Sequence, residues 1–332
     1  MLYRYKITPG SPLMTPLMSD TLFGHFCWAV LYHEGADYLS DLLDLYDTGN
    51  PAPILFSSAF LSGYLPRPAM SRLNMKKTGA FVRRHFGKDK KKFFEGLSKI
   101  SAWHNRQLIS VKQWLNLKDN YSEEKLYEEF ITEHPDENKI CEIEVSVAKQ
   151  VNRISGTVPD KSAGPFYKEK TWYYDGIVFD LYVEINDEKM NAAAEWFLTE
   201  YLPENGFGAD KSSGMGNLAI VCDEDFDSEC FSVAAPNARV SLSLTAFQGM
   251  ERYRAAYRLK TKFGKLGGDF AAAGTAGGDP KPFKKPVLMY EPGAVFFCTE
   301  RLSDRPLLKN IHSDKRIRHC GIPITLPLTV DG

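Results

Sequence analysis

The sequence predicts an α+β fold, and three observations predict it. The chain has 332 residues, 43% hydrophobic and 25% charged, too apolar for disorder and, at roughly 150 residues per domain, long enough for two compact units. Its N-terminus alternates, with Tyr3, Tyr5 and Ile7 on one face and Arg4 and Lys6 on the other, the period of a half-buried strand. Further on, a strand-like run at 177–185, a helical run through 192–198 and a strand-like run at 217–222 follow in order, with a glycine-rich connection before the last. Strand, helix and strand make half of a ferredoxin-like unit. The expectation is two ferredoxin-like (RRM-like) domains. The first is 1–230, with a basic insertion at about 66–170 and a glycine-rich loop at 206–216. The second is 236–332, β-rich, with a flexible insert at 264–285.

The elements follow in order. Pro9 and Pro12 break the first strand, and Ser19, Asp20 and Thr21 supply capping chemistry for a helix at 22–32, apolar nearly all round and therefore buried. A second extended run at 54–61 stops at Gly63, Pro66 and Pro68. The basic stretch beyond carries Phe81, Phe86, Phe93 and Phe94 among its charges. Asp187 is the expected cap of the later helix. The last third alternates short strands at 240–247, 287–290, 294–299 and 322–328. The insert at 264–285 is rich in glycine and alanine, too poor in large apolar groups to fold alone, and is expected to be mobile until a partner orders it.

Composition excludes several classes. No run of eighteen uncharged apolar residues occurs, which predicts neither a membrane span nor an export signal. The six cysteines contain no Cys-x-x-Cys pair, which argues against a zinc knuckle or a disulfide framework. A reducing cytoplasm fits, and no metal or cofactor is expected. Net charge is −1, but the signs segregate: residues 61–120 hold fourteen Lys or Arg against three acids, and 251–290 hold nine against three. Acids gather at 34–47, 123–144 and 223–229. Such runs either solvate a face or offer surfaces of opposite sign to different partners.

The segment Gly-Phe-Gly-Ala-Asp-Lys-Ser-Ser-Gly-Met-Gly at 206–216 is the most informative. Glycines take positive φ and let backbone N–H groups converge on an oxyanion, while Lys211, Ser212 and Ser213 add a charge and two hydroxyls. Such a loop suits a phosphodiester. Lys211 follows Asp210, so the loop is not a P-loop, and it leads into a strand, so it is not a dinucleotide fingerprint. A tight turn alone is the competing reading.

Four segments together resemble the RAMP superfamily of CRISPR-associated proteins, in particular the fourth subunit of type III-A (Csm) effector complexes. They are Ser-Asp-Thr-Leu-Phe-Gly-His-Phe-Cys-Trp-Ala at 19–29, Ser-Ser-Ala-Phe-Leu-Ser-Gly-Tyr-Leu-Pro-Arg-Pro at 57–68, Asn-Arg-Ile-Ser-Gly-Thr at 152–157 and the glycine loop. The third departs from the Ile-Asp-Arg-Thr-Gly pattern expected there. The resemblance implies a non-catalytic RNA-binding subunit of CRISPR antiviral defence. Such a subunit caps the 5′ handle of the CRISPR RNA and joins the large palm-domain subunit to a backbone RAMP subunit. The RNA-binding candidates are Ser19, Thr21, His25, Arg67, Lys76, Lys77, Arg83, Arg84, Asn152, Arg153, Lys161, Gly208, Lys211, Ser212, Ser213, Gly214, Gly216, Lys262 and Lys265. Phe81, His85, Phe86, Tyr167 and Trp172 offer stacking surfaces.

Some RAMP relatives are metal-independent endoribonucleases that process CRISPR RNA with a histidine, and His25 is the candidate under that alternative. In so apolar a helix a packing role is the commoner fate of a histidine, and no second proton-transfer residue pairs with it in the sequence. Gly-Gly-Asp-Phe at 267–270 is similar to the Gly-Gly-Asp turn of palm cyclases but sits in low complexity without flanking strands, which favours a flexible loop.

Overall fold

The computed structural model describes residues 1–133, 139–148, 166–270 and 282–331. β1 (Leu2–Pro9) buries Tyr5 and Ile7, as its alternation requires. α1 (Ser19–Glu34) buries Leu22, Phe23, Phe26, Ala29 and Val30. Its N-cap is Met18, with no side-chain cap; the expected cap Ser19 instead accepts from the Leu244 N–H at 2.9 Å. Gly35, at φ 92°, turns the chain into α2 (Ala36–Leu45). Three short strands follow, β2 (Ile54–Phe56), β3 (Phe60–Leu61) and β4 (Tyr64–Pro66).

The insertion is folded. α3 (Met75–His85) and α4 (Lys90–Asn105) are capped by the side chains of Asn74 and Asp89. β5 (Leu108–Ser110) pairs with β4, and a Ser110–Gln113 capping box opens α5 (Val111–Leu117). Ser122 caps α6 (Glu123–Thr132). Phe81, Val82, Ile100, Trp103, Tyr127 and Phe130 close one apolar core under these helices, so the basic charge lies on a folded surface. β6 (Cys141–Ala148) and β7 (Phe166–Tyr173) form a two-stranded antiparallel ribbon.

β8 (Phe179–Ile185), α7 (Met190–Trp196), a π-helical turn at Phe197–Tyr201, α8 (Leu202–Asn205) and β9 (Leu218–Cys222) complete the first unit. Asp187 accepts from the Lys189 N–H, but the residue at the cap of α7 is Lys189. The main sheet has the order β2-β8-β1-β9, antiparallel throughout, with β3 also on β8. With α1 after β1 and α7 after β8, this is the β-α-β-β-α-β connectivity expected from the sequence. Phe26, Phe56 and Phe197 meet at ring-centroid distances of 5.3–5.8 Å and lock α1 and the π turn to β2.

The remainder is β-rich: β10 (Ala238–Ser241), β11 (Thr245–Ala246), β12 (Ala255–Ala256), β13 (Leu259–Lys262), β14 (Val287–Tyr290), β15 (Val295–Phe296) and β16 (Thr325–Leu328). They form sheets of order β12-β15-β10-β16 and β11-β14-β13. Among the described residues this part has no α-helix, so the two helices of a second ferredoxin-like unit are missing from it. The largest apolar core runs without a break from the main sheet into β10, β15 and β16. A seam of serines reinforces it: the Ser58 N–H donates to Leu242 O, the Ser243 hydroxyl to Phe56 O, and the Ile324 N–H to the Ser243 hydroxyl. Of the insert at 264–285, residues 264–270 and 282–285 form two facing arms joined by a bridge between Lys265 and Phe283; 271–281 lie outside the described residues. Among the described residues no helix is long and apolar enough to cross a membrane.

Candidate nucleic-acid interface

The glycine loop joins α8 to β9 and folds over the start of α1. Gly206, Gly208, Gly214 and Gly216 all take positive φ, as does Asp210, and Lys211–Ser213 form one 3-10 turn at the tip. At Gly216 the glycine is obligatory, because a Cβ would sit 1.9 Å from the Phe207 carbonyl oxygen. At Gly208 it would meet Thr15 at 2.7 Å.

The loop's N–H groups are directed inward. Gly208 donates to His25 Nε2 at 3.1 Å, Ala209 to Thr15 Oγ1 at 3.2 Å, Gly214 to Lys211 O at 3.0 Å and Gly216 to Pro12 O at 3.0 Å. The N–H groups of Gly208, Gly214 and Gly216 therefore do not cradle an oxyanion, which corrects the expectation for these three glycines. They build a scaffold that presents Lys211, Ser212 and Ser213, all exposed, at its tip.

His25 supports that scaffold. Its Nε2 accepts a hydrogen bond, its ring leans on Phe207 with centroids 4.8 Å apart, and burial, aided by the charge of Lys211, holds its pKa down at about 4. A neutral imidazole with its Nε2 occupied is a clamp between helix and loop. As a proton donor in RNA cleavage it is poorly placed. Sequence reasoning missed two further supports. Thr15 lies in a segment without a motif, and Lys168 of β7 forms an ion pair with Asp210 that ties the β6–β7 ribbon to the loop. The ribbon is also pinned beside the loop by reciprocal backbone bonds between Leu13 and Thr171, at 3.0 and 2.9 Å.

Several candidates are committed elsewhere. Arg67 is 2% exposed, ion-paired with Glu123, bonded to the His104 carbonyl and seated over the Tyr127 ring at 5.9 Å. It is spent inside the insertion, tying the end of β4 to α4 and α6, and presents no exposed charge. Ser19 is buried in the serine seam, with its N–H on Ser58 Oγ at 3.3 Å. Lys262 turns inward, with Nζ 3.1 Å from Asp20 and 3.3 Å from the Thr21 hydroxyl, so neither Lys262 nor Thr21 is free for a phosphate. Arg84 is neutralised by Glu124 and Glu128 at 2.7 and 2.9 Å. Acidic runs thus face this chain's own cations; Arg318 likewise pairs with Asp44 and Asp47.

Lys76, Lys77 and Arg83 remain exposed on α3, and Lys265 on its arm. Arg83 stacks over Phe93 at 5.3 Å. Asn152, Arg153 and Lys161 lie outside the described residues. Of the stacking candidates, Phe81 is buried against His85 at 4.4 Å, Phe86 packs on the insertion core, and Tyr167 and Trp172 stand exposed on the ribbon. Among the described residues, no three metal-ligating side chains converge.

No family model matches the sequence, and no curated protein matches it. By fold, the chain is similar over its full length to chains of solved CRISPR assemblies. One, from a Csm1-Csm4 cassette in complex with cA4, has a TM-score of 0.54 at 14% identity, with 100% of both chains covered. Another, from a Csm1-Csm4 cassette in complex with pppApA, has a TM-score of 0.52 at 14% identity and covers 100% of this chain and 99% of that one. A third, from a Csm3-Csm4 subcomplex of the type III-A CRISPR-Cas interference complex, has a TM-score of 0.54 at 15% identity and covers 98% and 99%. Csm4 is the subunit these assemblies have in common, and over its full length this chain shares its fold with chains of such assemblies.

Proposed function

We propose that this protein is a non-catalytic RNA-binding subunit of a type III-A CRISPR effector complex. It holds the 5′ handle of the CRISPR RNA and bridges the large palm-domain subunit to a backbone RAMP subunit, in the cytoplasm. The observation that carries this reading is the glycine loop. On a fold shared end to end with chains from Csm1-Csm4 and Csm3-Csm4 assemblies, it uses its own N–H groups to hold up Lys211 and two hydroxyls. The exposed cations of α3 extend the positive surface. Units 1–230 and 236–332 act as one body in this reading, joined by their common core.

The test is direct. The purified chain is incubated with a handle-containing precursor RNA without metal, and retention without cleavage is expected; cleavage at the handle boundary overturns the non-catalytic assignment. In fluorescence anisotropy, Lys211→Ala should weaken binding and lower the salt slope by about 0.7, one phosphate's worth for a single strand. An unchanged slope removes Lys211 from the interface.

A further inference from the structure

The two arms around 264 and 284 prolong the antiparallel pair β13–β14 across a one-residue shift of register, and the ribbon so formed has inverted polarity. Strand alternation places Leu259, Phe263 and Lys265 on one face of the first arm. The Lys265–Phe283 bridge puts Phe283 on that same face and, across a one-residue shift of register, the Thr261–Leu288 pair adds Leu288, with Lys285 between them exposed as well. This face is open: Phe263 is 68% exposed, Phe283 56%, Leu259 45% and Leu288 41%. None of the six is acidic.

Two lysines of the opposite face, Lys262 and Lys284, point into the protein. Lys262 reaches Asp20, and Lys284 is half-buried with Nζ 3.2 Å from Arg318 O and 3.5 Å from His319 Nδ1. A ribbon that spends its inner face on ionic anchors while leaving phenyl rings in water gains nothing from that arrangement as a solvated surface. The register explains it differently. Phe283 stands directly across from Lys265, Phe263 and Lys265 follow each other on one face of the first arm, and Lys285, exposed with Nζ 3.0 Å from Asn310 O, lies two residues from Phe283, so rings and cations are interspersed on the open face. Interspersed rings and ammonium groups match alternating bases and phosphates, the chemistry of single-stranded nucleic acid.

We propose that this ribbon is a second RNA platform, separate from the glycine loop, on which two unpaired bases stack against Phe263 and Phe283 while Lys265 and Lys285 hold the intervening phosphates. The proposal rests on the RNA-binding reading above. It assigns function to a segment that composition alone marks as a flexible insert.

The test uses the full chain and a single-stranded RNA of about 12 nucleotides carrying 2-aminopurine. Phe263→Ala and Phe283→Ala should each raise Kd about 5- to 100-fold and relieve aminopurine quenching. Both rings are exposed, so the melting temperature should hold. The double change Lys265→Ala, Lys285→Ala should lower the salt slope by about 1.4. Phe94→Ala, an equally exposed ring on α4, should bind like the unaltered chain. Unchanged affinity in the two ribbon phenylalanine variants, alongside weakened binding by Lys211→Ala, overturns the platform and leaves the glycine-loop reading standing. Loss of a partner protein with RNA affinity retained overturns it in favour of a protein interface. No RNA affinity in the unaltered chain at low salt overturns both readings together.

Discussion

Gly214 and Gly216 have nearly the same backbone conformation, φ 79° and 74°, in opposite surroundings, and substituting each by alanine separates the two roles a glycine loop can have. A Cβ at Gly214 meets nothing within 4 Å, so Gly214→Ala costs only the positive-φ penalty, about 1–2 kcal/mol. At Gly216 the same penalty is joined by a Cβ 1.9 Å from Phe207 O and 3.0 Å from Phe207 N. Relief requires moving buried Phe207 and breaking the Phe207–Gly216 and Gly216–Pro12 hydrogen bonds, about 1 kcal/mol each. The total for Gly216→Ala is about 3–4 kcal/mol. For a chain of this length the unfolding entropy is about 0.7 kcal/mol per degree, so Tm should fall by about 2 °C for Gly214→Ala and about 5 °C for Gly216→Ala. Differential scanning calorimetry reads the first quantity, and anisotropy with single-stranded RNA on the same preparations reads the second. Gly214→Ala should leave RNA affinity unchanged, because its N–H is already satisfied by Lys211 O. Equal losses of Tm in the two variants refute the packing argument. Loss of RNA binding by Gly214→Ala at an unchanged Tm refutes the inward-facing scaffold.

Two further predictions concern buried ionisable groups. His25 is held at about 4 and His319 at about 3, both chiefly by burial, so the unfolded chain takes up protons near pH 6.5 that the folded chain refuses. Stability is therefore intact above pH 6.5 and declines as pH falls towards 4, by up to about 1.4 kcal/mol per pH unit for each such histidine. His25→Gln keeps an acceptor for the Gly208 N–H without titrating, and should flatten the pH dependence of the urea midpoint by one proton; an unaltered slope would falsify the assignment. Arg67→Met strands Glu123, 5% exposed, without its cation and should cost about 3–5 kcal/mol in urea unfolding. Adding Glu123→Gln should recover most of that loss, and failure to recover it would show that Arg67 matters through shape and not through charge.

Local pattern was legible wherever neighbours in sequence decide the outcome. The alternation of β1, the apolar run of α1 and the four glycines of the loop each report a local constraint. What sequence does not report is where a polar side chain finds its partner. Arg67 and Lys211 look equally cationic, yet one meets Glu123 from a helix 56 residues away and the other meets solvent. Ser19 reads as a cap until Leu244, 225 residues on, claims its hydroxyl. The β6–β7 ribbon is written in the period of its first strand, where Ile143, Val145 and Val147 alternate with polar residues, but the same stretch is dense in acids, and charge density carries no information on strand pairing. Around 264–285, glycine and alanine content dilutes the average and hides Phe263 and Phe283 at its edges; the backbone pairing sets Phe283 opposite Lys265, two residues from Phe263.

The serine seam between the main sheet and the C-terminal strands sets how this molecule can be divided. Cutting the chain near residue 233 would leave Ser58, Ser243 and the Phe56 carbonyl facing water or each other with their partners gone, and would open the common core along its length. The N-terminal piece would keep its whole main sheet and still lack the wall that sheet is built against. Neither piece is therefore a portable module. A gene fusion, a split reporter or a circular permutation that separates the chain near 231–235 divides one core between two pieces, although the joint itself lies largely at the surface.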